Sequence, residues 1–438
     1  MDQAIEISEA EGPTPATEPT AEAAYDAFVW ANLPRNYAGN YIHGMLGMTG
    51  FRLLNAPTFI PIFLHELSGS DAIVGLGAGL QQLGALVSPI ISASQIEHRK
   101  KVMPAAMLIG SLMRLAVLGM ALASWFMRGM PLLASMLVLL FLFGIFSGAQ
   151  RVAFQLLLAK VIPIVRRGRL QAWRNLTGGA IAAVLTWAAG RWLIGRNIFG
   201  HGYSVTFAVA FVLTSLGLTF LQVLLREPEP PTLRSRVRML DRLRDFPALL
   251  SDKDFSFFML TQTLAVAGRL AAPFYVLYAK GSVALDGPTL GLLGFAFLGA
   301  DTASNLVWGY MGDKSGFRLA CLASLALWVG STVLLIYAHN LPMIALALAG
   351  LGAASSGYNM SSQTLVLEFG LREDIAMRLA FSSTAEGLAA ALGPLLGGLI
   401  AKAFGYSPLL WISAGCVLSA LIVLTLMVRE PRGRTATA

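Results

Sequence analysis

Twelve stretches of predominantly apolar residues recur along this 438-residue chain, near 40–64, 72–93, 102–126, 131–158, 170–190, 204–225, 256–278, 287–310, 319–338, 341–367, 379–401 and 407–428. A helix rises about 1.5 Å per residue, so each stretch is long enough to cross a hydrocarbon layer of about 30 Å. A helix also satisfies its own backbone hydrogen bonds there. The expected fold is an all-α membrane protein with twelve transmembrane helices. Composition agrees: 56% of residues are hydrophobic and 13% charged, roughly half the charged share of a soluble domain. Twelve spans leave room for tails, short loops and one longer linker, but not for a soluble catalytic domain.

The basic residues set the orientation, because cytoplasmic loops are enriched in Lys and Arg. One set of alternate loops holds 22 of them and the opposite set only Arg128, Arg191, Arg196, Lys280 and Lys402. Both termini are therefore expected to be cytoplasmic, in a plasma (inner) membrane. Residues 1–34 carry Asp2, Glu6, Glu9, Glu11, Glu18, Glu22 and Asp26 without the apolar centre of a signal peptide, and read as a disordered cytoplasmic tail. Residues 226–254 form the one long internal linker. In it Val237, Leu240, Leu243 and Phe246 recur at helical spacing among arginines, as in an interfacial amphipathic helix. The linker separates six-helix bundles expected over 35–225 and 255–430, and 431–438 form a second cytoplasmic tail.

Several function classes fall away. Cys321 and Cys416 each lie inside an apolar run, so no disulfide framework or cysteine metal site is readable. No nucleotide-binding glycine loop, zinc signature or nucleophile elbow is present. An enzyme is not expected, and neither is a cofactor. The net charge of +8 lies on loop rims, where anionic lipid and the orientation rule account for it, so nucleic acid is not an expected partner.

The two halves resemble each other. Phe51-Arg52-Leu53-Leu54-Asn55-Ala56-Pro57 in the first stretch parallels Gly268-Arg269-Leu270-Ala271-Ala272-Pro273 in the seventh, and Gln155 and Gln363 take comparable places in the fourth and tenth. Such traces point to a duplicated six-helix unit, a transporter construction with its site near mid-membrane between repeats.

At the end of the eighth stretch the chain reads Gly309-Tyr310-Met311-Gly312-Asp313-Lys314-Ser315-Gly316-Phe317-Arg318. This resembles the loop motif of the major facilitator superfamily, Gly-x-x-x-Asp-Arg/Lys-x-Gly-x-Arg/Lys. Pro163 followed by Arg166, Arg167, Gly168 and Arg169 is similar to another pattern of that superfamily. The resemblance covers about residues 35 to 430. It implies two six-helix bundles that rock about a central site, with Gly309, Asp313, Lys314, Gly316 and Arg318 as a gating loop. The matching loop of the first half has Gln95 where the family's aspartate stands, which implies a weaker latch. Drug-proton antiporters of the superfamily carry Gly-Pro-x-x-Gly-Gly in helix five. Here Gly393-Pro394-Leu395-Leu396-Gly397-Gly398 falls in the eleventh stretch, a departure that argues against drug efflux and leaves these glycines a role in close helix packing.

Five arginines fall within spans: Arg52, Arg114, Arg151, Arg174 and Arg269. An unpaired guanidinium at mid-membrane costs at least about 2.5 kcal/mol, so each should face a cavity, a counter-ion or both. The resemblance places Arg52, Arg151 and Arg269 on cavity-lining helices one, four and seven. Arg52 and Arg269 resemble the paired arginines of organophosphate transporters in the superfamily, and a guanidinium fork suits phosphate or carboxylate. The alternative is that the arginines pair with Asp301 and Glu386 and merely stitch helices together. Those two carboxyls are equally candidates for proton coupling. Asn55, Gln155, Gln262, Tyr358, Asn359 and Gln363 are further substrate-contact candidates, with interhelical bonding as the alternative. Gln150 is polar at the same level. Arg174 lies close enough to the inner face to snorkel, Arg114 can bond backbone, and His43 reads as an edge residue.

The expected function is secondary active transport of a small solute, preferably an organic anion, by a monomer in contact with lipid and with protons as a coupling ion. Efflux of amphipathic or cationic compounds is the alternative. A transporter-like membrane sensor or assembly protein is the alternative of another class.

Overall fold

The computed structural model describes residues 21–55, 57–96, 99–229, 252–369 and 375–429. These residues form the helices α1 (Ala21–Ala31), α2 (Leu33–Leu54), α3 (Phe59–Ser68), α4 (Asp71–Ile96), α5 (Met103–Phe126), α6 (Gly129–Val161), α7 (Ile164–Ala188) and α8 (Gly202–Leu224) in the first half. The second half has α9 (Lys253–Ala267), α10 (Tyr275–Ala279), α11 (Gly287–Ser315), α12 (Phe317–Ile336), α13 (Leu341–Glu368), α14 (Ile375–Phe404) and α15 (Tyr406–Met427). Starts follow local chemistry. Asp286 accepts from the Thr289 amide at 2.9 Å and Asn340 from the Met343 amide at 3.0 Å, each followed by a proline in the first turn.

Ten helical segments among the described residues are long and apolar enough to cross a membrane. Two more complete the twelve positions. The first is α2 with α3, the fifth is α7 continued by a π-helical turn, Ala189–Ile194. Outward faces stay apolar, as lipid requires: Leu108, Leu115 and Leu122 recur every seven residues on α5 and are all exposed.

The repeated segment marks a helix break in both halves. The first position is interrupted between Leu54 and Phe59, after Arg52 and around Pro57. The seventh passes through a 3-10 segment, Gly268–Phe274, that holds Arg269 and Pro273. Proline removes a ladder donor and clashes with the preceding turn, so one sequence signal produces one structural event twice.

Where the structure departs from the sequence expectation, local chemistry explains it. Ala21–Ala31 is a helix, which shortens the expected tail: Ala-rich sequence favours helix, and the Tyr25 hydroxyl anchors it by donating to the Lys160 carbonyl at 3.0 Å. The remainder of that tail, the amphipathic segment of the linker and residues 430–438 lie outside the described residues. The first linker residue after Arg226 is fixed: Glu227 accepts from the Val102 and Met103 amides at 2.7 and 2.8 Å, capping α5, and from Lys160 Nζ at 3.0 Å.

Helices alternate in direction, so α1, Glu227 and the end of α15 share one face, the near face. Contacts between the bundles concentrate toward the opposite, far face. There α4 meets α14, with Gly75 against the Pro394 carbonyl and Gly398, and the π-turn meets α11, with Gly190 against Gly287 and Gly291. The Tyr406 hydroxyl donates to Asp71 Oδ1 at 2.6 Å across the two halves. Gly397 and Gly398 of α14, in the eleventh stretch, thus serve close packing. Gly75→Val should place methyl groups against backbone at this seam and cost about 1–3 kcal/mol. Thermal unfolding in detergent checks this, and an unchanged midpoint would show the seam to be looser than described.

Candidate functional site

The first and fifth positions fall outside the ten apolar spans because they carry the polar residues, among them Asn40, His43 and Arg52 on α2 and Arg166, Arg167, Arg169 and Arg174 on α7. They pack on each other: the Thr49 hydroxyl donates to the Gly178 carbonyl at 3.1 Å, and the Arg174 side chain lies across Gly44, whose missing Cβ leaves it space. Between these helices, α4 and α6 lies a cavity of about 520 Å³, within the range usual for small-molecule sites. It reaches from Asn55 and Gln81, midway along the span, to Leu158 and Gln171 toward the near face.

The wall is mixed. Phe51, Phe143 and Phe154 give it apolar surface, while Gln150, Gln155 and others give it amides. Two guanidinium groups, Arg151 and Arg174, line it together with His43, and no carboxylate among the described residues does. Gln81 Nε2 donates to Asn55 Oδ1 at 2.7 Å at its inner end.

Arg52 faces the other way, toward the second bundle. Its Nη1 donates to Asp301 Oδ2 at 2.5 Å and to Thr302 Oγ1 at 2.9 Å. It occupies the last turn of α2, where the helix break brings the negative end of the helix dipole to mid-span. The ion-pair alternative raised by the sequence is therefore realised for Arg52 and Asp301, and it ties one bundle to the other.

Arg269 sits in the 3-10 break of the seventh position. Its Nη2 donates to Asn359 Oδ1 at 2.5 Å, and its guanidinium lies 5.3 Å from the Tyr358 ring centre and 5.6 Å from that of Trp328. Glu386 is held by neutral donors, Gln262 Nε2 at 3.2 Å and the Tyr358 hydroxyl at 3.4 Å, and makes no ion pair among the described residues. Ser382 donates to Gln262 Oε1 at 2.8 Å. Asn359 and Gln363 are exposed on α13. The candidate contacts thus divide. Arg151, Asn55 and Gln155 line the first-bundle cavity, while Arg269, Gln262, Tyr358, Asn359 and Glu386 form a cluster in the second bundle.

The segment expected to be a gating loop is mostly helix. Gly309, Asp313 and Lys314 lie in the last turns of α11, and Gly316 closes it with φ +91°. Arg318 donates to the carbonyls of Val428, Leu424 and Thr425 at 2.8, 3.1 and 3.0 Å, so it binds the negative end of α15 within its own bundle.

Arg114 bonds backbone as expected, donating to the Thr214 carbonyl at 2.7 Å and the Gly110 carbonyl at 2.6 Å. Two readings need correction. Arg174 does not snorkel to the rim but lines the cavity, and His43 is not an edge residue but is 5% exposed, its ring 4.6 Å from that of Phe154. The usable signal was Gly44, one residue after His43, on a helix too polar for a plain lipid-facing span.

The family model of the Major Facilitator Superfamily matches residues 43–268 and again 257–438. The chain belongs to the major facilitator superfamily. It is accordingly a secondary transporter with multiple membrane spans, from a family of transporters rather than enzymes. Within that superfamily it is 25% identical over 418 residues to the multidrug resistance protein MdtG of Klebsiella pneumoniae, covering 92% of this chain and 96% of that one. Its fold matches that of a point variant of the nucleoside transporter NupG with a TM-score of 0.70 at 13% identity, over 90% of this chain and 100% of that one. The human organic anion transporter MFSD10 (TETRAN) gives 0.59 at 16% identity, over 89% and 99%. These two likenesses establish the superfamily fold and nothing narrower.

Proposed function

We propose that this transporter carries an organic anion, taken from the near face into the arginine-lined cavity and exchanged across the membrane as the bundles rock. The observation that carries this reading is the charge of the wall: Arg151 and Arg174 line the cavity and, among the described residues, no carboxylate does. Retaining unneutralised guanidinium groups within a span is costly, and an anionic cargo offsets that cost. Arg269, above two aromatic rings, supplies a second cationic contact from the opposite bundle. In this reading Asp301 and Glu386 exchange protons during the cycle. The gating role of Asp313, Lys314 and Arg318 belongs to the same reading, as does a monomer in a plasma (inner) membrane with the near face cytoplasmic, which the loop arginines support.

Efflux of amphipathic or cationic compounds is the second reading, supported by likeness to MdtG over nearly the whole chain. Reconstituted vesicles separate the two. Labelled aromatic carboxylates should exchange against unlabelled excess, faster with an opposing pH gradient. Exchange of quaternary ammonium compounds and no carboxylate would reverse the cargo assignment, and binding without any exchange would favour a sensor.

A further inference from the structure

Three buried polar atoms on three different helices lack a hydrogen-bond partner among the described residues and belong to residues of one cavity: His43 Nε2 on α2, Gln150 Oε1 on α6 and Arg174 Nε on α7. His43 and Gln150 are 5% and 6% exposed. Buried polar groups are ordinarily paired, so three orphans carried by residues that line one chamber mark a place where a bound solute, met by a small turn of each side chain, supplies the partners. We propose that His43, Gln150 and Arg174 form the recognition site for the head of the cargo, an oxyanion with a hydroxyl or amine donor beside its charge. Its apolar body lies against Phe51, Phe143 and Phe154.

The chemistry of each atom selects its partner. The Arg174 guanidinium only donates, so it takes an oxyanion, and Arg151 on the same wall adds a second positive charge. The Gln150 oxygen only accepts, so it requires a donor on the ligand. His43 Nε2 completes the set in either tautomer, its ring held by Phe154 at 4.6 Å. Gly44 acts as a positioning residue: a Cβ there would overlap Nε of Arg174 and displace the side chain without removing its charge. The cargo class rests on the transport reading above, but the site is testable apart from it.

Salicylate is the fitting probe: it has a carboxylate, an aromatic body and an adjacent hydroxyl, whose bond to its own carboxylate is exchanged for one to Gln150 when the arginines take the carboxylate. Benzoate lacks the donor, salicylamide lacks the charge, and phenyl phosphate exchanges carboxylate for phosphate. Titration calorimetry on the full-length protein in detergent should show salicylate binding at least tenfold tighter than benzoate and salicylamide. Phenyl phosphate binding tighter still would support the oxyanion site and assign the head to phosphate. Arg174→Gln and Gly44→Ala should each weaken salicylate at least tenfold, and Gln150→Leu should erase the preference over benzoate while leaving benzoate itself unchanged. Equal affinities for all four probes, or salicylate binding indifferent to both Arg174→Gln and Gly44→Ala, would overturn the site. Carboxylate exchange that persists with unaltered affinity in Arg174→Gln would leave the transport reading standing and remove this one. The expected binding pattern without vesicle exchange would do the reverse.

Discussion

Asp301→Asn should lower the thermal unfolding midpoint of the purified protein markedly, because it strands Arg52 midway through the membrane. Removing one partner from a buried ion pair costs about 3–5 kcal/mol. Here the two side chains retain 18% and 17% exposure, which places the loss toward the lower end of that range. Arg52→Ala should cost a similar amount by leaving Asp301 without its strongest partner. The double replacement Arg52→Leu with Asp301→Leu should recover most of the stability, since a hydrophobic pair of similar volume replaces a buried ion pair at little net cost. It should not recover transport, because the charged link between bundles is gone. A double-mutant cycle read by thermal unfolding measures the coupling. Additive losses would mean that the two groups, although hydrogen-bonded at 2.5 Å, hold the bundles together independently.

Arg269→Ala should have the larger effect on flux and the smaller one on folding. Arg269 has no carboxylate partner among the described residues, only Asn359 and two aromatic rings. A charge-assisted bond to cargo contributes about 1.5–3 kcal/mol, so exchange at low substrate should fall roughly ten- to a hundredfold. Arg269→Lys keeps the charge without the planar fork and should recover only part of the rate. Exchange unaffected by either substitution would leave Arg269 a packing residue.

The architecture is legible in the sequence because hydrophobic length is a property of each span alone. Ten of the twelve stretches meet that criterion among the described residues, the first and fifth are helices too polar for it, and the Arg52 and Arg269 segments, similar in sequence, take similar places in the two halves. What escapes a hydropathy reading is direction. Whether an arginine faces a cavity, a carboxylate or the rim depends on neighbours supplied by other helices. Arg52 found Asp301, 249 positions away, while Arg174 found Gly44 and an open chamber. Glu386 lies at a level where an arginine pair was plausible, yet neutral donors on α9 and α13 reach it first. The breaks at Pro57 and Pro273 escaped for another reason: apolar composition continues through them, and only the hydrogen-bond ladder stops. Lengths shifted too. Helix α2 begins at Leu33, earlier than its apolar run, because packing on α8 rather than lipid supports that turn, with Arg35 Nε donating to the Leu224 carbonyl at 2.8 Å.

Everything functional depends on water and solute reaching the arginine-lined chamber from the near face while the far face is closed. A single cysteine reports this directly: Gln155→Cys, in a protein also carrying Cys321→Ala and Cys416→Ala, tested with a membrane-impermeant maleimide in vesicles of defined orientation. Labelling should be rapid from the near face, much slower from the far face, and slowed by salicylate. Labelling from neither face, or faster labelling from the far face, would contradict it.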